Sequence, residues 1–169
     1  MGMASLHGRR PAVDLEQVTE WDAVVIRTDY SDDGAWQKVA AGLRQPWAEG
    51  AESSWHVVEG AGWAGADADE VLAALPDRVS DLHDVVFLAD ADTMYGEQNP
   101  LLAVSTDPDM RDEDHEIPGL GFTSRFRIVP TAVAEMVGNL AIANMDYEDF
   151  SSSAHGDPQR IHRGFLTPE

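Results

Sequence analysis

Trp21-Asp22-Ala23-Val24-Val25-Ile26-Arg27-Thr28-Asp29-Tyr30-Ser31-Asp32-Asp33-Gly34-Ala35-Trp36 reads as a buried strand running directly into a capped helix. Val24, Val25 and Ile26 form a short β-branched run of the kind that occupies the middle of a sheet. Ser31 is placed to accept the free N–H groups of the first helical turn. Asp32 and Asp33 put negative charge at the positive end of the helix dipole. That account leaves Asp29 without a structural role.

After this strand, a helix over 32–44 carries Trp36, Val39, Ala40 and Leu43 at the spacing that paints one apolar stripe, and Pro46 ends it. A second strand is expected at 54–58. Asp67 and Glu70 then have the spacing of a capping box, ahead of Val71, Leu72 and Leu75. The run Val85-Val86-Phe87-Leu88-Ala89 is continuously apolar, which suits a strand covered on both faces and lying near the first. Further strands are expected at 101–105 and 124–129, the latter alternating Arg125, Arg127 and Val129 against Phe126 and Ile128. A helix entered at Pro130 and Thr131 follows. The order βαβαβββα implies an α/β fold: a single domain with a central mixed β-sheet of about five strands flanked by helices. The expected divisions are a flexible leader at 1–20, an α/β domain at 21–150 with an exposed acidic loop at 106–119, and a polar tail at 151–169.

The formal charge of -20 comes from 31 Asp and Glu against 11 Lys and Arg, with Lys38 the sole lysine. Such a surface repels phosphate backbones and anionic membranes and favours a basic protein partner. Direct nucleic-acid binding is therefore not expected, and no segment approaches the length needed to span a bilayer. Cysteine is absent, which removes disulfides, thiolate nucleophiles and sulfur-based zinc sites and suits a cytoplasmic location.

Two segments, Val24 to Trp36 and Asn139 to Phe150, together with the strand ending in Ala89-Asp90 and Arg125-Phe126-Arg127-Ile128-Val129-Pro130, resemble a family of uncharacterised small acidic actinobacterial domains. The resemblance spans 21–165 and implies a soluble single domain. It brings no activity and no catalytic residues.

Asp29, Asp32 and Asp33 follow the first strand, and Asp90 and Asp92 follow the third. Parallel neighbours would bring these five carboxylates to one sheet edge, where open α/β sheets bind ligands. Magnesium or another divalent cation would take Asp29, Asp90 and Asp92 as ligands, in a small metal-dependent hydrolase or phosphoryl-transfer enzyme. Helix starts and a strand-end turn account for most of the same residues. Trp47, Trp55 and Trp63 cluster around the second strand, and exposed Trp beside acidic residues is the composition of a binding hot spot. The favoured expectation is an interaction module of accessory, inhibitor or immunity type, needing no cofactor, that offers these carboxylates and tryptophans to a basic protein. Gly60-Ala61-Gly62-Trp63-Ala64-Gly65 has the glycine spacing of a dinucleotide loop, but reads better as a turn with Trp63 as a packing plug. The histidines at 7, 56, 83, 115, 155 and 162 lack metal-ligand spacing, and His83 reads as a turn residue.

Overall fold

Val24 to Ile26 and Val85 to Ala89 are apolar on both sides of the pleat, so each needs a covering layer above and below. A computed structural model, describing residues 13–46, 54–76, 79, 83–107 and 124–165, supplies both layers. Strand β1 (Ala23–Arg27) leads into α1 (Asp33–Leu43), β2 (Trp55–Val58), a 3-10 turn (Ala61–Trp63) and α2 (Ala68–Ala74). Next come β3 (Val85–Ala89), the short α3 (Ala91–Tyr95), β4 (Leu101–Ser105) and β5 (Arg125–Ile128). A second 3-10 turn (Pro130–Ala132), α4 (Val133–Ala141), α5 (Tyr147–Gly156) and β6 (Ile161–His162) complete the chain. The six strands form one mixed sheet in the order β2-β1-β3-β4-β5-β6. β1 runs parallel to β2 and β3, β4 runs antiparallel to both its neighbours, and β6 runs parallel to β5.

The two crossovers move in opposite directions, β1 to β2 and then back past β1 to β3, so right-handed connections put α1 and α2 on opposite faces. Alternation along the strands feeds both cores. Val25 and Phe87 pack with Val39, Met136 and Phe150 on one side, while Val24, Ile26 and Leu88 pack with Trp63, Val71 and Leu72 on the other. Val25 pairs with Phe87 and Arg27 with Ala89, which sets the two central strands level at their carboxyl ends.

Four features depart from the expectation. The sheet has a sixth strand, because two residues are too few to show alternation. Helix α5 crosses the boundary expected at 150 and buries Tyr147, Phe150, Ser151 and Ala154, a helical i, i+3, i+4, i+7 stripe that serines disguise. Packing begins before residue 21, since Val13 and Val18 are core residues and the Val13 N–H donates to the Ala74 carbonyl at 3.3 Å. The cap of α1 is Asp32, which accepts the Ala35 N–H at 3.0 Å, whereas Ser31 donates its own N–H to Asp29 at 2.9 Å. Asp29 thus shapes the turn. Trp47 and residues 108–119 of the expected acidic loop lie outside the described residues.

His162 anchors β6 against α5, fully buried with Phe150 at 5.3 Å and Phe165 at 4.8 Å between ring centres. Its Nδ1 lies 2.9 Å from the Ser153 hydroxyl oxygen, its Nε2 has no partner, and burial pushes its pKa down to about 4. The unfolded chain therefore takes up this proton first as pH falls. Stability held above the unfolded value of about 6.5 should drop by on the order of 2 kcal/mol by pH 4. Urea unfolding across that window checks this, and His162→Leu should flatten the slope whatever its absolute stability.

Candidate functional site

At the carboxyl rim, the Thr28 and Asp29 N–H groups both donate to the Ala89 carbonyl, at 2.9 and 3.2 Å, so Asp29 and Asp90 share one edge. Each carboxylate there already has partners. Asp29 accepts the Ser31 N–H and hydroxyl, Asp32 caps α1, and Asp33 pairs with Arg27 at 2.9 Å. The Arg27 guanidinium also lies over the Tyr30 and Trp36 rings, at 4.5 and 5.0 Å. Asp90 caps α3 by accepting the Thr93 N–H at 3.1 Å, and Arg127 grips its two oxygens at 2.7 and 2.9 Å. The same guanidinium reaches Asp92 at 3.1 Å. Burial alone would raise the Asp90 carboxyl, but the bonds and charge of Arg127, with help from Thr93, hold it below its ordinary value.

The strand order reverses between β1 and β3, the switch point at which such sheets usually bind ligands. Beside it the Tyr30 hydroxyl bridges the ends of β1 and β2, accepting the Gly60 N–H at 2.7 Å and lying 3.1 Å from the Gly60 and Arg27 carbonyls. A cation at this rim would compete with Arg127 for Asp90 and Asp92. Among the described residues, no three His, Asp or Glu side chains come together as a metal-binding group.

Of the tryptophans expected to form an aromatic patch, Trp55 and Trp63 are described and both pack inward. Trp63 is 3% exposed beneath the α2 layer, and Trp55 is half-buried against the other core. The loop folds back because Gly65 takes a left-handed φ of 75° and donates its N–H to the Thr28 carbonyl at 2.8 Å. Among the described residues, the exposed tryptophan is Trp21, 50% exposed.

Trp21 stands at the opposite, amino rim. Because β4 is antiparallel, it ends where β1 and β3 begin, and Asp107 after β4 joins Asp22 and Asp84 before those strands. A cleft of about 140 Å³ is walled by Glu20, Asp22, His83 and Asp84. Its apolar side is Val85 with Val137, Leu140 and Ala141 of α4. A neighbouring hollow of similar size is lined by Asp84, Asp107, Asp146 and Glu148. Asp84 belongs to both. Burial and then the charges of Asp107 and Asp146 push its pKa up, and His83 alone acts in the other direction. Asp22 differs: burial would raise it, but bonds from Ser54 and Thr19 outweigh that and hold it low.

His83 is only 6% exposed, and its Nε2 lies 2.9 Å from the Thr19 carbonyl oxygen. A carbonyl only accepts, so Nε2 carries the proton, and Nδ1 is left with no hydrogen-bond partner. Open α/β sheets bind ligands at the carboxyl ends of their strands, so the sequence raises no expectation for this rim. The available signal was His83-Asp84 directly before the most apolar strand.

The sheet and its two rims define a single-domain α/β protein whose carboxyl edge is bonded internally and whose amino edge holds an acidic cleft. The chain belongs to the family described as a domain of unknown function, DUF6924, whose model matches residues 22–165. That span runs from the residue before β1 to Phe165, beyond β6. No curated protein matches the chain.

Removing Arg127 should show how much the carboxyl rim depends on it. Arg127→Met leaves Asp90 partly buried without its cation and should cost about 2–3 kcal/mol at pH 7. Asp90 has a depressed folded pKa, so its contribution is present above about pH 4 and lost as pH falls further. The gap between wild type and variant in urea unfolding should therefore shrink towards pH 3.

Proposed function

We propose that the protein is a cytoplasmic interaction module, of accessory, inhibitor or immunity type, that docks a basic protein partner against the amino rim of its sheet. The observation that carries this reading is an acidic cleft bracketed by exposed apolar side chains. Trp21, 50% exposed, stands between Glu20 and Asp22, and Ile142, 54% exposed, follows Leu140 and Ala141. Large apolar anchors beside carboxylates that a partner can neutralise are what hot spots are made of. Asp84 adds to the case, since its ionised form is disfavoured by its neighbours and would be relieved by an incoming cation. The overall charge of -20 would steer a basic partner towards the protein from a distance.

A metal-dependent enzyme using Asp29, Asp90 and Asp92 draws less support, because Arg127 already bonds two of those three carboxylates. The two rims can be compared directly by measuring poly-L-lysine binding through tryptophan fluorescence at about 0.1 M salt. Asp84→Asn with Glu148→Gln should weaken binding about tenfold. Asp29→Asn with Asp92→Asn, which removes the same charge from the other rim, should leave it within about twofold. Equal losses from both pairs would mean that net charge alone drives association, with no docking face.

A further inference from the structure

We infer that the outer edge of β2 takes an extended segment of a basic partner as a seventh strand of the sheet. This goes beyond the rim docking proposed above and rests on it for the charge of the partner. β2 pairs with β1 on one side and ends the sheet on the other. The Ala23 N–H donates to the Ser54 carbonyl at 2.9 Å, and alternate residues of a parallel strand bond to the same neighbour. Ser54, His56 and Val58 therefore face β1, while Trp55 and Val57 turn their N–H and C=O groups outward. Among the described residues, no hydrogen-bond partner meets Trp55 or Val57 on that outer side. Such a row of unused donors and acceptors is a template for another strand. The run Trp55 to Val58 contains no proline or lysine to guard it, whereas β6, at the far edge, is only two residues long.

The surroundings of this edge decide what kind of segment it takes. Side chains alternate along β2, so Trp55 packs with the core under α1 and Val58 with the core under α2. On the Val58 side, a groove of about 530 Å³ is lined by β2 and by the segment that carries Val13 and Val18. Those two valines, Val58 and Trp63 give it apolar walls, and the exposed Asp14 and Glu59 give it negative charge. Neither carboxylate has an ion-pair partner among the described residues. Every second side chain of an added strand falls on that side of the sheet. A basic side chain there lays its stem along the valines and brings its charge to Asp14 and Glu59. Apolar residues at the alternate positions pair with Trp55 and Val57 on the other face. A second copy of this chain fits badly, because it brings its own Asp14 and Glu59 and a charge of -20 to the same edge.

The test follows amide hydrogen exchange of the full chain by NMR, with a capped heptapeptide alternating lysine and valine as the probe. Saturating peptide should slow exchange of the Trp55 and Val57 N–H groups about tenfold or more. The fully N-methylated peptide keeps the charge but cannot donate to a strand, and it should bind about tenfold more weakly. Asp14→Asn with Glu59→Gln should cost a similar factor. Exchange at Trp55 and Val57 that stays unchanged at every peptide concentration, or equal affinity for the N-methylated peptide, would overturn the added strand. Slowing that grows with protein concentration in the absence of peptide would assign the edge to a second copy and overturn the basic occupant, as would equal protection by a glutamate and valine heptapeptide. Poly-L-lysine binding that depends on Asp84 and Glu148 while Trp55 and Val57 stay unprotected would overturn the strand and leave the rim reading intact. Protection of Val57 together with equal losses from the two rim pairs would support the edge and overturn the rim reading.

Discussion

The parallel pairing of β1 with β3, both buried on each face, is the constraint from which the remaining architecture follows. Strands with no polar side can lie only at the centre of three layers, so α1, α4 and α5 must cover one face and α2 the other. Two crossovers in opposite directions satisfy that demand with the same handedness. The pairing also sets Arg27 level with Ala89, which brings the ends of both strands to one rim. Everything that happens at either edge of the sheet begins from that register.

The carboxyl rim is then consumed by the fold. Asp90 serves as helix cap and as one half of a bidentate pair with Arg127, while Asp29 and Asp32 hold the turn into α1. Tyr30 bridges the ends of β1 and β2. A carboxylate held by an arginine and by backbone N–H groups is a structural element, and its negative potential is largely cancelled at short range. The edge that similar sheets use for ligands is here a stabilised corner.

The other rim keeps a carboxylate and a buried nitrogen that the fold leaves unsatisfied. Asp84 has carboxylate neighbours and no arginine among the described residues, and the imidazole of His83 keeps one nitrogen without a partner. Trp21 and Ile142 remain in solvent beside them. A basic partner docked on this rim would relieve the charge of Asp84 and cover the two apolar side chains together. This coincidence makes the amino rim the better place to look for a partner.

Much of the fold was legible in the sequence, because the signals concerned act over a few residues. The apolar run of β3, the capping box of Asp67 and Glu70, and the alternation of Arg125 and Arg127 with Phe126 and Ile128 all appear in the structure. The stripe of α5 was hidden by serines that are small enough to be buried, and β6 was too short to have a pattern. The five carboxylates near the ends of the first and third strands could be located, but not their availability. Asp90 and Arg127 are 37 positions apart and meet only because β5 lies two strands from β3. Periodicity and capping are local, so most strands and helices can be read along the chain, α5 and β6 excepted. Which charges are cancelled and which stand open depends on distances between groups far apart in sequence, and these come only with the folded arrangement.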